Sequence, residues 1–256
     1  MAKGDIREMK RNSDLRAYLR LARMAAITTR ALASLKLAHS RTGGCPHEAA
    51  RHGHAWARRL IDALGIEVSV RGAPPPGPHL LLGNHRSYID ILAVLGVRPC
   101  GFLAKVEIAS WPLFGTAASL HPTVFVARDD RDSRKRAREG ALALLQKGLA
   151  FAAFPEGTTC RGPGILPFFP GLFQLAEQYD FPVVPFAIEY EDRRDAWIDD
   201  DPFVGHFLQT FRRPRIRLEL SFGPTLRRRP ADDLRRVATD WVRGEVRAAA
   251  RSMATR

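Results

Sequence analysis

From residue 66 onward, short apolar runs alternate with stretches of helical periodicity, and this alternation constrains the fold more than any other feature of the chain. Residues 66–70, 79–83, 101–104, 123–127, 150–154, 183–188 and 216–222 read as strands, with a proline-rich turn at 73–78. Residues 88–95, 108–119, 129–149, 171–179 and 231–250 read as helices. Most of these strands are apolar at consecutive positions, whereas 216–222 alternates, as does the short run 66–70. A strand without a polar face must be covered on both sides. The expected class is α/β, with a mostly parallel or mixed central sheet covered by helices on both faces. In such sheets the chemistry sits just beyond the strand ends.

The 256 residues suit one sizeable domain, and charge divides them unevenly. Residues 1–60 carry 13 basic and 4 acidic side chains, residues 211–256 carry 13 and 5, and the body between carries 14 and 18. We therefore separate a basic N-terminal helical segment, 1–60, from a domain at 61–256. Two basic ends on a nearly neutral body point to an anionic surface, lipid or nucleic acid. Within a helix expected at 15–37, Arg16, Arg20, Arg23 and Arg30 lie within about 80° of one another, and Tyr18, Leu21, Ala25 and Leu32 lie opposite. That pattern suits contact with a membrane surface, or a surface helix packed on its own domain. The first twelve residues are polar, and no run of 18 apolar residues occurs; the best, 141–154, is cut by Gln146 and Lys147. Neither a signal peptide nor a spanning helix is expected.

Three widely spaced cysteines, Cys45, Cys100 and Cys160, give no disulfide framework and suit a reducing, cytosolic compartment. Cys45, His47, His52 and His54 cluster, but their spacing matches no familiar zinc pattern. They read as scattered solvated side chains at the entry to a helix expected at 48–64.

Two constellations carry chemistry. In Gly83-Asn84-His85-Arg86-Ser87-Tyr88-Ile89-Asp90, an apolar strand delivers His85 to its end and the chain turns into a helix. Asp90 can reach back to one imidazole nitrogen, fixing the tautomer and leaving the other nitrogen to accept a proton. The same spacing also reads as a capping box, with Ser87 as N-cap and Asp90 as its partner. The second, Phe154-Pro155-Glu156-Gly157-Thr158-Thr159-Cys160, again follows an apolar strand. Its glycine allows close backbone approach, its hydroxyls can bind head-group oxygens, and Glu156 can bond a substrate hydroxyl or brace a turn.

Taken together and in order, these segments resemble the glycerophospholipid acyltransferase family, of which the 1-acyl-glycerol-3-phosphate acyltransferases are the bacterial archetype. His85 and Asp90 match its His-x-x-x-x-Asp motif. Lys105, Glu107, Pro112, Gly115 and Arg128 match its second motif, Glu156-Gly157-Thr158 its third, and Pro182-Val183-Val184-Pro185 its fourth. The likeness runs from about Trp56 to Phe222. Thr159 stands where the family usually has Arg, and His121-Pro122 replaces a Gly-bearing turn. The Glu-Gly-Thr-Thr variant, with Trp111-Pro112-Leu113-Phe114-Gly115 and Pro214-Arg215-Ile216, is similar to a branch containing lyso-ornithine lipid acyltransferases.

The resemblance implies transfer of an acyl group from acyl-CoA or acyl-carrier protein to a lysolipid hydroxyl, without metal or cofactor. The implied acceptor is 1-acyl-glycerol-3-phosphate, with a lyso-ornithine lipid or other lysolipid as the alternative. His85 and Asp90 are the implied catalytic pair. Lys105, Arg128, Glu156, Gly157, Thr158, Thr159 and Arg161 are the implied substrate contacts. The implied setting is the cytoplasmic face of an anionic membrane, held peripherally, with no nucleic-acid partner. A non-catalytic basic protein that binds lipid or nucleic acid is the rival class; the basic stripe has no interleaved aromatics, and no groove-reading motif occurs.

Overall fold

The computed structural model describes residues 3–111, 113–198 and 201–255. Two helices, α1 (Lys3–Thr42) and α2 (Pro46–Leu64), precede a seven-stranded sheet. The strands are β1 (Ile66–Arg71), β2 (Leu80–Gly83), β3 (Cys100–Lys105), β4 (Thr123–Val126), β5 (Ala150–Ala153), β6 (Val183–Tyr190) and β7 (Ile216–Phe222). Between and after them run α3 (Ile89–Val97), α4 (Phe114–Leu120), α5 (Arg131–Gln146), α6 (Gly171–Tyr179), α7 (Phe203–Phe211) and α8 (Ala231–Ala254). The sheet order is β1-β7-β6-β2-β5-β3-β4, and every neighbouring pair is parallel except β6 with β7. The α/β class and the mixed sheet covered on both faces are as expected.

β2 shows why the central strands lack a polar face. Leu81 packs into a core with Met24, Leu60, Leu64, Leu92, Phe186 and Phe207, from the side of α1, α2, α3 and α7. Leu80 and Leu82 point the other way, into a core with Leu145, Phe173, Leu175, Leu234 and Val242 from α5, α6 and α8. Successive side chains on a strand alternate faces, so a strand buried on both must be apolar at every position.

The N-terminal helices depart from the expected picture. α2 starts with Pro46 in its first turn and ends at left-handed Gly65, where any Cβ would collide with the Arg20 guanidinium and the Pro214 carbonyl. α1 is turned differently from the helical-wheel expectation. Ala17, Arg20, Met24, Thr28 and Leu35 face the body, whereas Leu15, Tyr18, Leu19 and Leu37 are the exposed large apolar side chains. Arg20 is only 8% exposed, and its guanidinium donates to the carbonyls of Phe211, Arg213 and Pro214 at 3.2, 2.6 and 2.6 Å. Arg16 donates to Arg212 O at 2.8 Å. Half of the basic stripe thus satisfies the unpaired carbonyls at the end of α7, which have no intrahelical donor. Arg23 and Arg30 remain exposed.

Two local expectations are also corrected. The helix expected at 108–119 is two pieces, a 3₁₀ turn at Val106–Ser110 and α4, separated by Leu113 at φ 65°. Trp111 is extended, with ψ 132°, as the residue before a proline prefers. Pro112 itself lies outside the described residues. In α3 the N-cap position is Tyr88 rather than Ser87, and no side chain caps it.

Candidate active site

β2 and β5 end side by side, and the loops that follow them meet over the sheet. His85 leaves β2 with its backbone N–H donated to Glu156 Oε2 at 2.7 Å. Its carbonyl accepts the N–H of Cys160 at 3.0 Å. Phe154, at the end of β5, stacks under the imidazole at 3.9 Å and 8°. The ring is therefore held in one plane by its own loop and by the neighbouring one.

Asp90, in the first turn of α3, is fully buried. Its Oδ2 lies 2.8 Å from His85 Nδ1 and accepts the N–H groups of Arg86 at 2.6 Å and Ser87 at 2.9 Å. Its Oδ1 accepts the Tyr190 hydroxyl at 2.6 Å. Every partner donates, so Nδ1 carries the proton and Nε2 holds the free lone pair. The capping alternative survives only in that Asp90 binds the amide of Ser87, one residue ahead of the N-cap. Burial, with Asp90 alongside, pushes the Tyr190 hydroxyl well above the ordinary tyrosine range, so it stays a donor. Sequence reasoning missed Tyr190; its one signal is a polar ending, Glu189-Tyr190, on an otherwise apolar strand.

Arg86 points back into the protein, and its side chain is 1% exposed. It donates through Nε and Nη2 to Glu189 Oε2 at 3.1 and 2.8 Å, and through Nη1 to Cys160 O at 3.0 Å. The Cys160 sulfur lies 3.0 Å from the same nitrogen, locked into this brace.

Glu156 braces the loop. Its Oε2 takes the His85 amide and its Oε1 takes the Leu166 amide, each at 2.7 Å. Burial pushes its pKa up to about 7, against the opposing pull of those two N–H donors. Gly157 follows at φ 75°, a conformation that favours glycine, and its N–H closes a turn on Phe154 O at 3.1 Å.

These groups open onto a cavity of about 1520 Å³. One arm is apolar, walled by Met24, Leu35, Trp56, Leu60, Leu92 and Phe114. Tyr88, Trp111, Trp197 and Phe203 make an aromatic wall beside His85 through edge-to-face contacts, Trp111–Trp197 at 5.8 Å among them. The other end is polar. His85, Lys105, Arg128, Glu156, Gly157, Thr158 and Thr159 all line the cavity. Arg161 does not; it is exposed beyond the Cys160 brace, against the expectation that it would share the cleft with Arg128. Lys105 pairs with Glu107 at 3.0 Å, and partial burial lowers the Arg128 pKa from the usual arginine value. The Cys45/His47/His52/His54 stretch does not converge. His47 bonds Lys147 O at 2.6 Å, His54 bonds Leu95 O at 2.5 Å, and His52 lines the cavity. Among the described residues no group of His, Cys, Asp or Glu is placed to hold a metal ion.

The model of the family described as Acyltransferase matches residues 66–189. A 1-acyl-sn-glycerol-3-phosphate acyltransferase of Neisseria gonorrhoeae is 34% identical over 177 residues, 68% of this chain and 69% of the relative. A lyso-ornithine lipid O-acyltransferase of Rhizobium meliloti is 31% identical over 226 residues, 77% of each chain. Another, of Pseudomonas aeruginosa, is 34% identical over 165 residues, 62% of this chain and 64% of that one. The fold is similar to the crystal structure of the 1-acyl-sn-glycerophosphate acyltransferase of Thermotoga maritima, with a TM-score of 0.66 and 21% identity, over 91% of this chain and 96% of that one.

Proposed function

The chain belongs to the acyltransferase family, and we propose on that footing that it moves a fatty acyl group from an acyl thioester to the free hydroxyl of a lysolipid. The observation that carries this reading is the His85–Asp90 pair, with His85 lining one cavity that also has an apolar wall, taken here as the acyl arm, and cationic and hydroxyl side chains, taken as the polar mouth. The acyl chain occupies the arm and places its thioester carbonyl at His85, and the acceptor hydroxyl enters from the polar side.

His85 Nε2 takes the hydroxyl proton as the acceptor oxygen attacks the thioester carbon. The imidazolium that forms is stabilised through Nδ1 by the buried Asp90 carboxylate, whose own position is held by three further donors. Collapse of the tetrahedral intermediate breaks the C–S bond, and the thiol sulfur takes the proton back from Nε2. No covalent acyl-enzyme is needed, and the braced Cys160 is not the nucleophile. The Lys105 ammonium is the candidate charge for the developing oxyanion.

For the acceptor we infer 1-acyl-glycerol-3-phosphate, yielding phosphatidate, with Arg128 on the phosphate. A lyso-ornithine lipid is the second reading. It is favoured by the neutral Thr159 at a cavity position where the family usually has Arg. Membrane attachment is part of the proposal. Among the described residues no helix is long and apolar enough to cross a membrane. The outward face of α1, with Leu15, Tyr18, Leu19 and Leu37 beside Arg23 and Arg30, suits a helix lying in the lipid interface.

The test is thiol release from acyl-CoA against a panel of lysolipids. Wild type is expected to turn over, and His85→Ala to lose about 10²–10⁴ in kcat with unchanged circular dichroism. Near-wild-type turnover in a folded His85→Ala variant would overturn the mechanism.

A further inference from the structure

The polar mouth carries a second group of cations, separate from Lys105 and Arg128, which the reaction as described does not use. On α5, Arg131, Arg134, Lys135 and Arg138 all line the cavity. Their spacing of three, four and seven places them on one face of the helix. The intervening Asp132, Arg136 and Glu139 do not line it. Arg136 instead lies 3.6 Å from Asp130, and Arg134 donates to the Arg128 carbonyl at 2.5 Å. Among the described residues, Arg131, Lys135 and Arg138 form no ion pair within 4.0 Å. Three acids line the cavity with them: Glu107 pairs with Lys105, both Glu156 oxygens hold backbone amides, and Asp129 acts on Arg128, which leaves the four cations of α5 in excess.

Four cations along one wall of the cavity, three of them exposed, outnumber the carboxylates beside them and make that wall attractive to an anion with several charges. The reaction geometry says which anion. With the acyl chain in the apolar arm and its carbonyl at His85, the sulfur and everything attached to it must extend through the polar mouth. We propose that the basic face of α5 binds the phosphates of coenzyme A, the pyrophosphate and the 3′-phosphate, and so selects acyl-CoA as donor. This inference rests on the acyl-transfer reading above and deepens it. A carrier protein would insert a single phosphodiester here and meet the outer surface with its folded body. A nucleotide brings several negative charges into the concave wall where these side chains are.

The test uses the full chain and two donors with the same acyl group, palmitoyl-CoA and palmitoyl-N-acetylcysteamine, the latter with no phosphate. In Arg131→Ala/Lys135→Ala/Arg138→Ala, the kcat/KM ratio of palmitoyl-CoA to palmitoyl-N-acetylcysteamine should fall by about 100-fold or more, roughly tenfold per lost charged contact. Arg131→Lys/Arg138→Lys should recover much of that ratio. Adenosine 3′,5′-bisphosphate should compete with palmitoyl-CoA in wild type and lose this effect in the triple variant. An unchanged donor ratio would overturn the proposal. So would a raised KM for 1-acyl-glycerol-3-phosphate with the phosphate-free donor, which would give these cations to the acceptor. A selective loss with palmitoyl-acyl-carrier protein and none with palmitoyl-CoA would make α5 a protein-docking face, and would also overturn it. Failure of the acyl-transfer reading is distinguishable: wild type then releases thiol from neither donor. Calorimetric titration of CoA into wild type and the triple variant still decides the site, because equal binding by both excludes it.

Discussion

Asp90 satisfies four donors with two oxygens, and that arrangement makes its replacement informative. Asp90→Asn would turn an NH₂ group toward at least one donor and free the imidazole to take the wrong tautomer. We expect kcat to fall by about 10²–10⁴, the range for a disabled general base, while the rings of His85 and Phe154 stay stacked. Steady-state kinetics with a crystal structure of the variant checks both halves. Arg128→Ala tests the acceptor. It should cost about 1.5–3 kcal/mol in kcat/KM for 1-acyl-glycerol-3-phosphate, the scale of a charged hydrogen bond, and much less for a phosphate-free lysolipid. Equal losses on both acceptors would make Arg128 structural. Glu156 predicts a pH dependence of folding. Its folded-state pKa of about 7 lies above the ordinary 4.5, so its stabilising contribution is complete below pH 4.5 and is lost as pH rises through 7. Thermal melts between pH 5 and 8 should show that slope in wild type, and it should be absent in Glu156→Gln. His85 and Asp90 were legible because five residues of chain hold the whole contact. Tyr190 and Glu189 were not, because they reach the same site from across the sheet, and nothing local in the chain announces that register. The expectation for Arg161 failed for a related reason: the Cys160 brace to Arg86 turns the following residue away from the cavity.

Strands and helices tell a similar story at the next scale. The central strands were readable because burial on both faces leaves no polar position, and the chain shows this directly. α7 was not anticipated, since Phe203–Phe211 is mostly apolar and without Lys, Arg, Asp or Glu, which gives a short run no helical signature. The wheel drawn on α1 failed because it assigns charge to the solvent side. A guanidinium is equally well placed facing inward when carbonyls without intrahelical donors await it. The Arg86–Glu189 pair joins the end of β2 to the end of β6 and holds the Cys160 loop in register. Arg86→Met leaves the buried Glu189 with only the half-exposed Arg193, 3.9 Å away, and should lower stability by about 3 kcal/mol. Adding Glu189→Leu removes the stranded charge and should recover much of it. Urea midpoints for the single and double variants measure the difference, and an Arg86→Met variant with an unshifted midpoint would contradict the bracing role.

For the molecule as a whole, the membrane attachment proposed above would run through the outward face of α1. Apolar insertion, with arginines alongside, predicts that Leu15→Glu/Leu19→Glu reduces vesicle flotation more than Arg23→Ala/Arg30→Ala does. Salt should weaken binding only in part, because screening over about 8 Å touches the exposed charges and leaves the apolar contact intact. Binding abolished by salt alone, with the leucine variant unaffected, would reverse this assignment. The inward face of the same helix has a different consequence. Met24 belongs to the main core, and Arg20 closes the end of α7, so removing α1 opens a hole and strands three carbonyls at once. α1 is therefore built into the body through its inward face and could not be exchanged between proteins like a tag. Recombination across this boundary would have to carry the α7 end along with it, so the proposed lipid-facing surface and the core behind the His85–Asp90 pair form one mechanical piece.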